Sequence, residues 1–271
     1  MTGSSTLAAR VVPPPLLGAG GFTKMLERNY LVYRRAWVII FSGFFEPLFY
    51  LFSIGIGIGE LVGDLTGPAG RPIEYAAFVA PALLASSAMN GAIYESTFNI
   101  FFKLKYGKVY DAILSTPMKP ADIAIGEITW SLGRGALYAG GFLIVMASMG
   151  LMPSFWGILA LPAAVLIGFA FAACGMAATT FMKSWQDFDL VNLIVLPLFL
   201  FSGTFYPLDV YPPLFQAFTR VSPLYHSVEL IRSLTLGVFD LSLLAHVGFL
   251  AAMGAFGAAV ASRRLARMLM P

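Results

Sequence analysis

Three ionisable residues stand inside long apolar stretches of this 271-residue chain. Glu46 lies in FFEPLF, Glu95 in AIYEST and Arg134 in LGRGAL. A charge within a membrane costs about 3 kcal/mol or more, so such residues face a protein interior or a functional path. We predict that Glu95 and Arg134 form a structural ion pair. Glu46 has no predicted partner, and either a structural role or a place on a translocation path fits it.

A second group of polar residues lies in the apolar segment SPLYHSVELIRSLTLG. His226, Glu229 and Arg232 are spaced three apart, which places them on one face of a helix. In such a segment this stripe predicts an outer gate, or the rim of an exit path. The alternative is an ordinary interfacial stripe in which Glu229 and Arg232 pair at i, i+3.

Motifs for catalysis and metal binding are missing from the sequence. It has no GxxxxGK[ST] motif, so the chain alone cannot bind ATP through a P-loop. It has no HExxH motif and no Cys/His cluster, so no metal site is predicted. No nucleophile motif accompanies His246, which argues against an intramembrane protease. We therefore predict a protein that is not an enzyme and has no cofactor of its own.

The composition indicates an integral membrane protein. Hydrophobic residues make up 58% of the chain and charged residues 11%, against about 45–50% and about 25% in soluble domains. Crossing a bilayer takes about 20 apolar residues in a helix, and six runs within residues 37–262 are long enough. The predicted fold is all-α. Its six transmembrane helices lie near Trp37–Gly59, Ala76–Phe101, Ile128–Gly150, Trp156–Met182, Leu190–Tyr206 and Leu241–Ser262.

The Lys and Arg residues predict the orientation of these helices. Most of the 17 fall on the side that carries both termini, and cytoplasmic segments are enriched in positive charge. The prediction is a multi-pass protein of the bacterial cytoplasmic membrane, with both termini in the cytoplasm.

The segments outside the spans have distinct characters. Residues 1–21 are predicted to be a flexible cytoplasmic tail, residues 22–36 an amphipathic helix, and residues 263–271 a cytoplasmic C-terminal tail. The longest cytoplasmic loop is 103–127. Residues 207–240 are too apolar for an ordinary loop and too rich in proline for one span, so we predict two short re-entrant helices there.

The amphipathic helix is predicted to lie in the inner-leaflet interface, because it is basic and directly precedes a span. The alternative is a solvated juxtamembrane helix. Its apolar stripe contains Phe22, Met25, Leu26, Tyr30, Tyr33 and Trp37, and its basic side contains Lys24, Arg28 and Arg35.

The loop 103–127 contains a short helical pattern, VYDAILSTP. Tyr110, Ile113 and Leu114 share one face, and Pro117 ends the helix. An exposed apolar face on a short helix fits the groove of a partner protein. The alternative is that this face packs on the spans of the chain itself.

Several stretches together resemble a known family. They are RNYLVYRRAW followed by EPLFYLFSIGIGIG, then YDAILSTPMKPADIAIGEITW, FLFSGTFYPLD and PLYHSVELIRSLTLG, and they extend over about residues 22–262. Their order and spacing resemble the permease subunits of type-2 ATP-binding-cassette (ABC) exporters. The similarity is greatest to nodulation-factor lipo-oligosaccharide exporter permeases and daunorubicin-resistance permeases.

The resemblance implies a six-helix half-transporter that pairs with a second permease, either the same chain or a homologue. Two copies of a separate ABC ATPase would bind ATP and Mg and supply the energy. It also implies two sets of site residues. ATPase coupling would involve Tyr110, Asp111, Ile113, Leu114, Thr116, Pro117, Arg28, Lys183, Gln186 and Asp187. The translocation path or outer gate would involve Glu46, His226, Glu229, Arg232, Phe205 and Tyr206.

The predicted function is ATP-driven export of an amphipathic substrate, such as a glycolipid, a lipo-oligosaccharide or a hydrophobic drug. Its partners would be the ATPase, the second permease and membrane lipid, with no nucleic acid. One alternative is an ion- or proton-coupled secondary transporter, although a proton relay would need more than one deep carboxylate. A six-span membrane enzyme is the other alternative.

Overall fold

The computed structural model describes residues 20–34, 45–66 and 72–269, and in that part the chain is almost entirely helical. A small hairpin joins the second and third helices, with β1 (Leu65–Thr66) antiparallel to β2 (Pro72–Ile73). The helices are α1 Gly21–Arg34, α2 Phe45–Val62, α3 Tyr75–Tyr106, α4 Val109–Leu114, α5 Pro120–Ser148, α6 Phe155–Thr179, α7 Asp187–Leu200, α8 Pro213–Val221, α9 Pro223–Leu236 and α10 Leu241–Leu269.

Four helices in the described ranges are long and apolar enough to cross a membrane, namely α2, α3, α6 and α10. The six-span prediction is therefore met in part. The predicted third span is α5, a helix of 29 residues that carries Asp122, Glu127 and Arg134. The predicted fifth span is α7, whose 14 residues cover only about 21 Å at 1.5 Å per residue.

Helix α7 ends at Leu200, six residues before the predicted end of that span at Tyr206. The chain turns at Gly203, whose φ of 70° is a left-handed conformation that glycine adopts without strain. Ser202 Oγ lies 2.6 Å from Ser222 Oγ, and Thr219 Oγ1 donates to the carbonyl of Phe201 at 2.7 Å. These bonds tie the turn to the α8–α9 junction.

The segment 207–240 contains two short helices, α8 and α9, and their re-entrant placement in the membrane stays a prediction. Helix α9 lies in the core of the protein, where Leu224, Val228 and Ile231 have no exposed surface. The predicted C-terminal tail 263–271 is not a separate segment, because α10 continues through it to Leu269. Residues 1–19 of the predicted N-terminal tail, and residues 35–44 at the predicted start of the first span, lie outside the described ranges.

The core is built at helix crossings where small residues allow close approach. Helix α6 lies at its centre and packs against α3, α5 and α10. A Cβ placed on Gly257 of α10 would lie 2.7 Å from the backbone nitrogen of Cys174 on α6. Such small-residue contacts are typical of helices that pack within lipid. By contrast, only 17% of the residues of α2 are buried, so α2 lies at the periphery.

The loops after α3 and α6 and the last turns of α10 meet at one end of the helices, called here the basic end. Arg264 of α10 donates from Nε to Thr180 Oγ1 at 3.1 Å, and its guanidinium lies 3.7 Å from the centre of the Phe181 ring. Trp185 packs edge-on against Phe102 of α3, with the ring centres 5.3 Å apart. Most of the predicted coupling residues lie in the two loops at this end.

Candidate functional site

Helix α1 packs directly along the start of α5. Gly126 of α5 faces Met25 of α1, and a Cβ at position 126 would lie 2.4 Å from the Met25 Cβ. Gly21 likewise faces Asp122, with its hypothetical Cβ 2.5 Å from a carboxylate oxygen. The backbone of α5 at Gly126 therefore contacts a side chain of α1, and the backbone of α1 at Gly21 contacts a side chain of α5. Glycine at both positions permits this close approach.

We expect Gly126→Ala to destabilise the protein and to loosen α1, because the new methyl group cannot coexist with Met25. Gly133→Ala, on the same helix, is the matched control, since nothing lies within 4 Å of a Cβ there. Alanine favours a helix over glycine by about 1 kcal/mol, so the control should be neutral or slightly stabilising. Thermal unfolding of the purified protein tests the difference. Equal effects at both positions would contradict this close contact.

The carboxylate of Glu127 is the centre of a buried polar network at the basic end. It accepts hydrogen bonds from Lys103 Nζ at 2.8 and 2.9 Å, from the Tyr110 hydroxyl at 3.1 Å and from Asn29 Nδ2 at 3.2 Å. Glu127 is 3% exposed, and Asn29 and Tyr110 are each 1% exposed. One side chain of α5 thus connects α1, the end of α3 and α4.

The network is balanced in charge and in hydrogen bonds. Lys103 supplies the positive charge that a buried carboxylate needs, and the two neutral donors occupy further lone pairs of its oxygens. Burial and the neighbouring Glu127 charge raise the pKa of the Tyr110 hydroxyl well above its usual range. The phenol therefore keeps its proton and donates throughout the physiological pH range.

The apolar face of α4 is not the exposed face that the sequence predicts. Tyr110 is buried, and Ile113 and Leu114 are half-buried against the cluster that includes Met25 and Leu265. The alternative of packing on the chain itself is the one observed, because Tyr110 reaches Glu127 only by turning inward. The outward residues of this helix and of the turn after it are Asp111, Ala112, Ser115, Thr116 and Pro117.

The faces of α1 also differ from the prediction. Met25 is buried, as are the polar residues Glu27 and Asn29, whereas Phe22 and Tyr30 of the predicted apolar stripe are exposed. The hydrogen bond from Asn29 to Glu127 turns this polar residue toward α5. Arg28 is half-buried and donates from Nη1 to Asn29 Oδ1 at 3.1 Å, so it borders the Glu127 network.

The loop between α6 and α7 holds the second predicted contact. Lys183 and Gln186 are exposed. Asp187 Oδ2 accepts from the backbone nitrogens of Lys183 and Ser184 at 2.6 and 3.1 Å, and these bonds lower the pKa of its carboxyl. Asp187 therefore holds the loop in shape. The neighbouring Trp185 packs on α3.

A cavity of about 420 Å³ opens between α1, α2, α3 and α5. Its lining is rich in aromatic rings and polar groups: Tyr33, Glu46, Ser87, Gly91, Tyr94, Glu95, Phe98, Asn99, Phe102, Arg134 and Tyr138. The predicted ion pair lies in this wall, with Arg134 Nη1 2.7 Å from Glu95 Oε2. Glu95 also accepts from the Tyr33 hydroxyl at 3.1 Å and from Asn99 Nδ2 at 2.6 Å.

The last turns of α3 connect this cavity to the basic end. Residues Glu95–Asn99 and Phe102–Tyr106 form wide π-helical turns, which are frequent at functional sites. One side of this stretch lines the cavity through Glu95, Phe98 and Phe102. Lys103 joins the Glu127 network, and Phe98 stacks on Phe188 after the second loop at 4.0 Å. The loop after α3 and the start of α7 therefore both contact the stretch of α3 that lines the cavity.

The predicted outer stripe is mostly structural in this conformation. Arg232 is 7% exposed, pairs with Glu229 at 2.5 Å and donates from Nη2 to the carbonyl of Gly203 at 2.8 Å. Its guanidinium also lies 3.9 Å from the centre of the Phe78 ring and donates to the Phe78 carbonyl. The alternative of a Glu229–Arg232 pair at i, i+3 is observed, with the Arg232 charge bound within the core, and a role at the outer gate stays a prediction.

The other members of the predicted outer set separate from one another. His226 Nδ1 lies 2.7 Å from Nδ1 of His246 on α10. Phe205 is half-buried and accepts from the Tyr75 hydroxyl through its carbonyl at 3.3 Å, while Tyr206 is exposed. Glu46 is exposed and lines the cavity between α1, α2, α3 and α5.

Sequence reasoning missed Glu127, Lys103 and Asn29 as site residues. The sequence did contain a signal for two of them, because Lys103 follows one apolar run and Glu127 precedes the next. Opposite charges at adjacent ends of an antiparallel helix pair are candidates for a bond. The sequence pattern of α1 concealed Asn29, which stands between an arginine and a tyrosine.

Comparison with known proteins matches this arrangement to one family. The family model for the ABC-2 type transporter matches residues 21–236. The chain is 34% identical to Nodulation protein J of Rhizobium leguminosarum bv. trifolii, over 86% of this chain and 88% of that protein. It is 32% identical to Nodulation protein J of Rhizobium meliloti (strain 1021), over 90% and 92%.

A further relative comes from outside that group. The chain is 28% identical to the inner membrane transport permease YadH of Escherichia coli (strain K12), over 74% of this chain and 77% of that protein. The family model spans α1, the loop around α4 and the chain up to the end of α9. The chain therefore belongs to the ABC-2 type transporter family.

Proposed function

We propose that this chain is the permease subunit of an ATP-driven exporter that moves an amphipathic substrate across the bacterial inner membrane. The substrate class is a glycolipid, a lipo-oligosaccharide or a hydrophobic drug. A separate ABC ATPase, in two copies, binds ATP and Mg, and a second permease, identical or homologous, completes the path. Membership of the ABC-2 family supports the need for an ATPase partner.

One observation carries the proposal, namely that α1, α3, α4 and α5 meet at Glu127. A partner that pushes on α4 moves Tyr110, and through Glu127 it moves Lys103 at the end of α3. Buried polar networks resist deformation, since separating their members leaves charges without partners. The force then reaches the cavity wall through the π-helical turns of α3.

The proposal includes an orientation and two further spans. The basic end faces the cytoplasm, in accordance with the positive charge of Lys103, Lys183 and Arg264. Helix α5 is the third span, and α7 with the turn after it is the fifth. Helices α8 and α9 lie on the outer side, where they close the exit.

We propose the outward face of α4 as the contact for the ATPase. Asp111→Arg and Thr116→Arg should each weaken association with the proposed ABC ATPase partner about tenfold, a loss typical of interface hot spots. The thermal stability of the permease should not change, because both side chains are exposed. Co-purification after co-expression and the ATPase rate of the complex measure the effect.

The control for this experiment is Asp209→Arg, an equally exposed aspartate on the 3₁₀ turn before α8. It makes the same change of charge away from the basic end. Full ATPase association by both α4 variants would overturn the assignment of this face. Loss of association with the Asp209 variant alone would place the ATPase at the opposite end.

A further inference from the structure

Among the described residues, the lining of the cavity between α1, α2, α3 and α5 carries more negative than positive charge. Its lining contains two carboxylates, Glu46 and Glu95, and one cation, Arg134. Arg134 is already paired with Glu95 at 2.7 Å. Glu46 forms no ion pair with any residue of the described ranges, although it stands within a helix long and apolar enough to cross a membrane.

The Glu46 carboxylate would be stabilised by a positively charged partner in this position. Leaving it alone in a membrane costs about 3 kcal/mol or more, unless water or a cation reaches it. The cavity gives such access, since Glu46 is exposed and lies at its wall. A phosphate or another anion would be repelled by the net negative charge of the lining.

The aromatic rings of the cavity favour the same kind of ligand. Tyr94 and Phe102 line it and are each 42% exposed, so part of each ring is free for contact. Cations bind over the faces of such rings, and quaternary ammonium groups are recognised in this way. The rings also offer apolar contact to the rest of an amphipathic molecule. A volume of about 420 Å³ is within the range of small-molecule sites.

We propose that this cavity binds the positively charged group of a hydrophobic organic cation, with Glu46 as the counter-charge and the rings of Tyr94 and Phe102 as its walls. Arg134 and Glu95 form the closed side of the site. Glu95 is held by Arg134, Tyr33 and Asn99, so it does not move to the ligand. The site thus distinguishes ligands by charge through Glu46, which has no ion-pair partner among the described residues.

This inference narrows the substrate class and to that extent rests on the proposed function. Binding can nevertheless be measured on the full chain alone, without ATPase or nucleotide. Loss of binding and loss of coupling are therefore separate results. A chain that binds cations but does not respond to an ATPase would refute only the exporter, and a coupled exporter without cation binding would refute only this site.

The test uses two probes of the same shape and opposite charge, tetraphenylphosphonium and tetraphenylborate. Each is titrated against the chain in lipid nanodiscs, and binding to empty discs is subtracted. We expect saturable binding of the phosphonium only. Glu46→Gln should weaken it about tenfold, as expected for loss of one charge pair in a partly desolvated site. Equal binding of both probes, or unchanged binding by this variant, would overturn the proposal.

Three further variants separate the site from a general effect on folding. Glu60→Gln removes an exposed glutamate farther along α2 that does not line the cavity, and it should bind normally. Tyr94→Phe keeps the ring and should retain binding, whereas Tyr94→Leu should weaken it severalfold. Equal binding by the phenylalanine and leucine variants would contradict the aromatic contact. Thermal unfolding of each variant confirms that it is folded.

The lipid composition of the discs identifies the source of the natural cation. Phosphatidylcholine carries a quaternary ammonium group, and phosphatidylglycerol has none. If the phosphonium binds more weakly in phosphatidylcholine discs at high ionic strength, where the surface charge of phosphatidylglycerol is screened, the lipid headgroup itself occupies the site. Equal affinity in both discs assigns the site to a free organic cation. Each result supports a cation site, and absence of saturable binding in both overturns it.

Discussion

Replacing Glu127 with alanine is expected to cost about 3–5 kcal/mol of unfolding free energy, because it leaves the buried Lys103 ammonium without a partner. The side chain of Lys103 is only 13% exposed. The Tyr110 hydroxyl and the Asn29 amide lose their acceptor at the same time. Export and ATPase association should fall together, since α4 loses the hydrogen bond from Tyr110 that joins it to Glu127 of α5.

A double variant separates the effect of the unpaired Lys103 charge from the effect of losing the hydrogen bond between Tyr110 and Glu127. Lys103→Met/Glu127→Leu removes both charges, so it should be clearly more stable than Glu127→Ala, as buried pairs replaced by apolar residues usually are. It should still fail to couple ATP hydrolysis to export, because Tyr110 no longer has a partner on α5. Thermal unfolding and the substrate-stimulated ATPase rate distinguish the two effects.

The control for these variants is Glu74→Ala, which removes an exposed glutamate at the start of α3 whose side chain makes no capping hydrogen bond there. It should leave both readouts unchanged. If Glu127→Ala were as stable and as active as this control, the network would have no mechanical role. A stable but uncoupled Glu127→Ala variant would instead separate coupling from folding.

The sequence correctly predicted the ion pair between Glu95 and Arg134, because this prediction needs only the two residue types and the apolar runs around them. Glu95 and Arg134 have opposite charges, and both stand in apolar runs, where an unpaired charge is costly. Pairing them needs no knowledge of helix rotation. The structure adds Tyr33 and Asn99 to the pair, at 3.1 and 2.6 Å from Glu95, and these could not be found from charge alone.

Helix rotation was the information that the sequence lacked. An apolar face such as that of Tyr110 and Ile113 fits a partner protein or the chain itself equally well. Which of the two applies depends on where Glu127 points, and that is fixed by the packing of α1 and α5 at Gly126. For the same reason the apolar stripe of α1 predicted the wrong buried face, since the bond from Asn29 to Glu127 sets its rotation.

The end of α7 shows a second limit. The apolar run continues to Tyr206, so periodicity and hydropathy extend the predicted span. The helix nevertheless stops at Leu200, where Gly203 turns the chain. The carbonyl of Gly203 then becomes an acceptor for Arg232, which lies 29 residues later. A helix end that depends on so distant a residue cannot be read from a local pattern.

Arg232→Ala is expected to destabilise the protein by about 3–5 kcal/mol, because a buried charge pair is broken and buried carbonyls lose their donor. The arginine joins α9 to α3 through the Phe78 carbonyl and to the turn after α7 through the Gly203 carbonyl. We expect the change to loosen this turn before other regions. Hydrogen exchange should rise in residues 201–222 while the Glu127 network stays protected.

Two further variants make the Arg232 prediction specific. Arg232→Lys keeps the charge, but one ammonium group cannot reproduce the fork that reaches both carbonyls, so we expect an intermediate loss of stability. Arg220→Ala removes an exposed arginine on α8 and should have little effect. An Arg232→Ala protein that remains as stable and protected as the Arg220 variant, yet no longer exports, would return Arg232 to the translocation path. Loss of stability together with faster exchange at the turn would establish it as the residue that fixes the outer helices to the core.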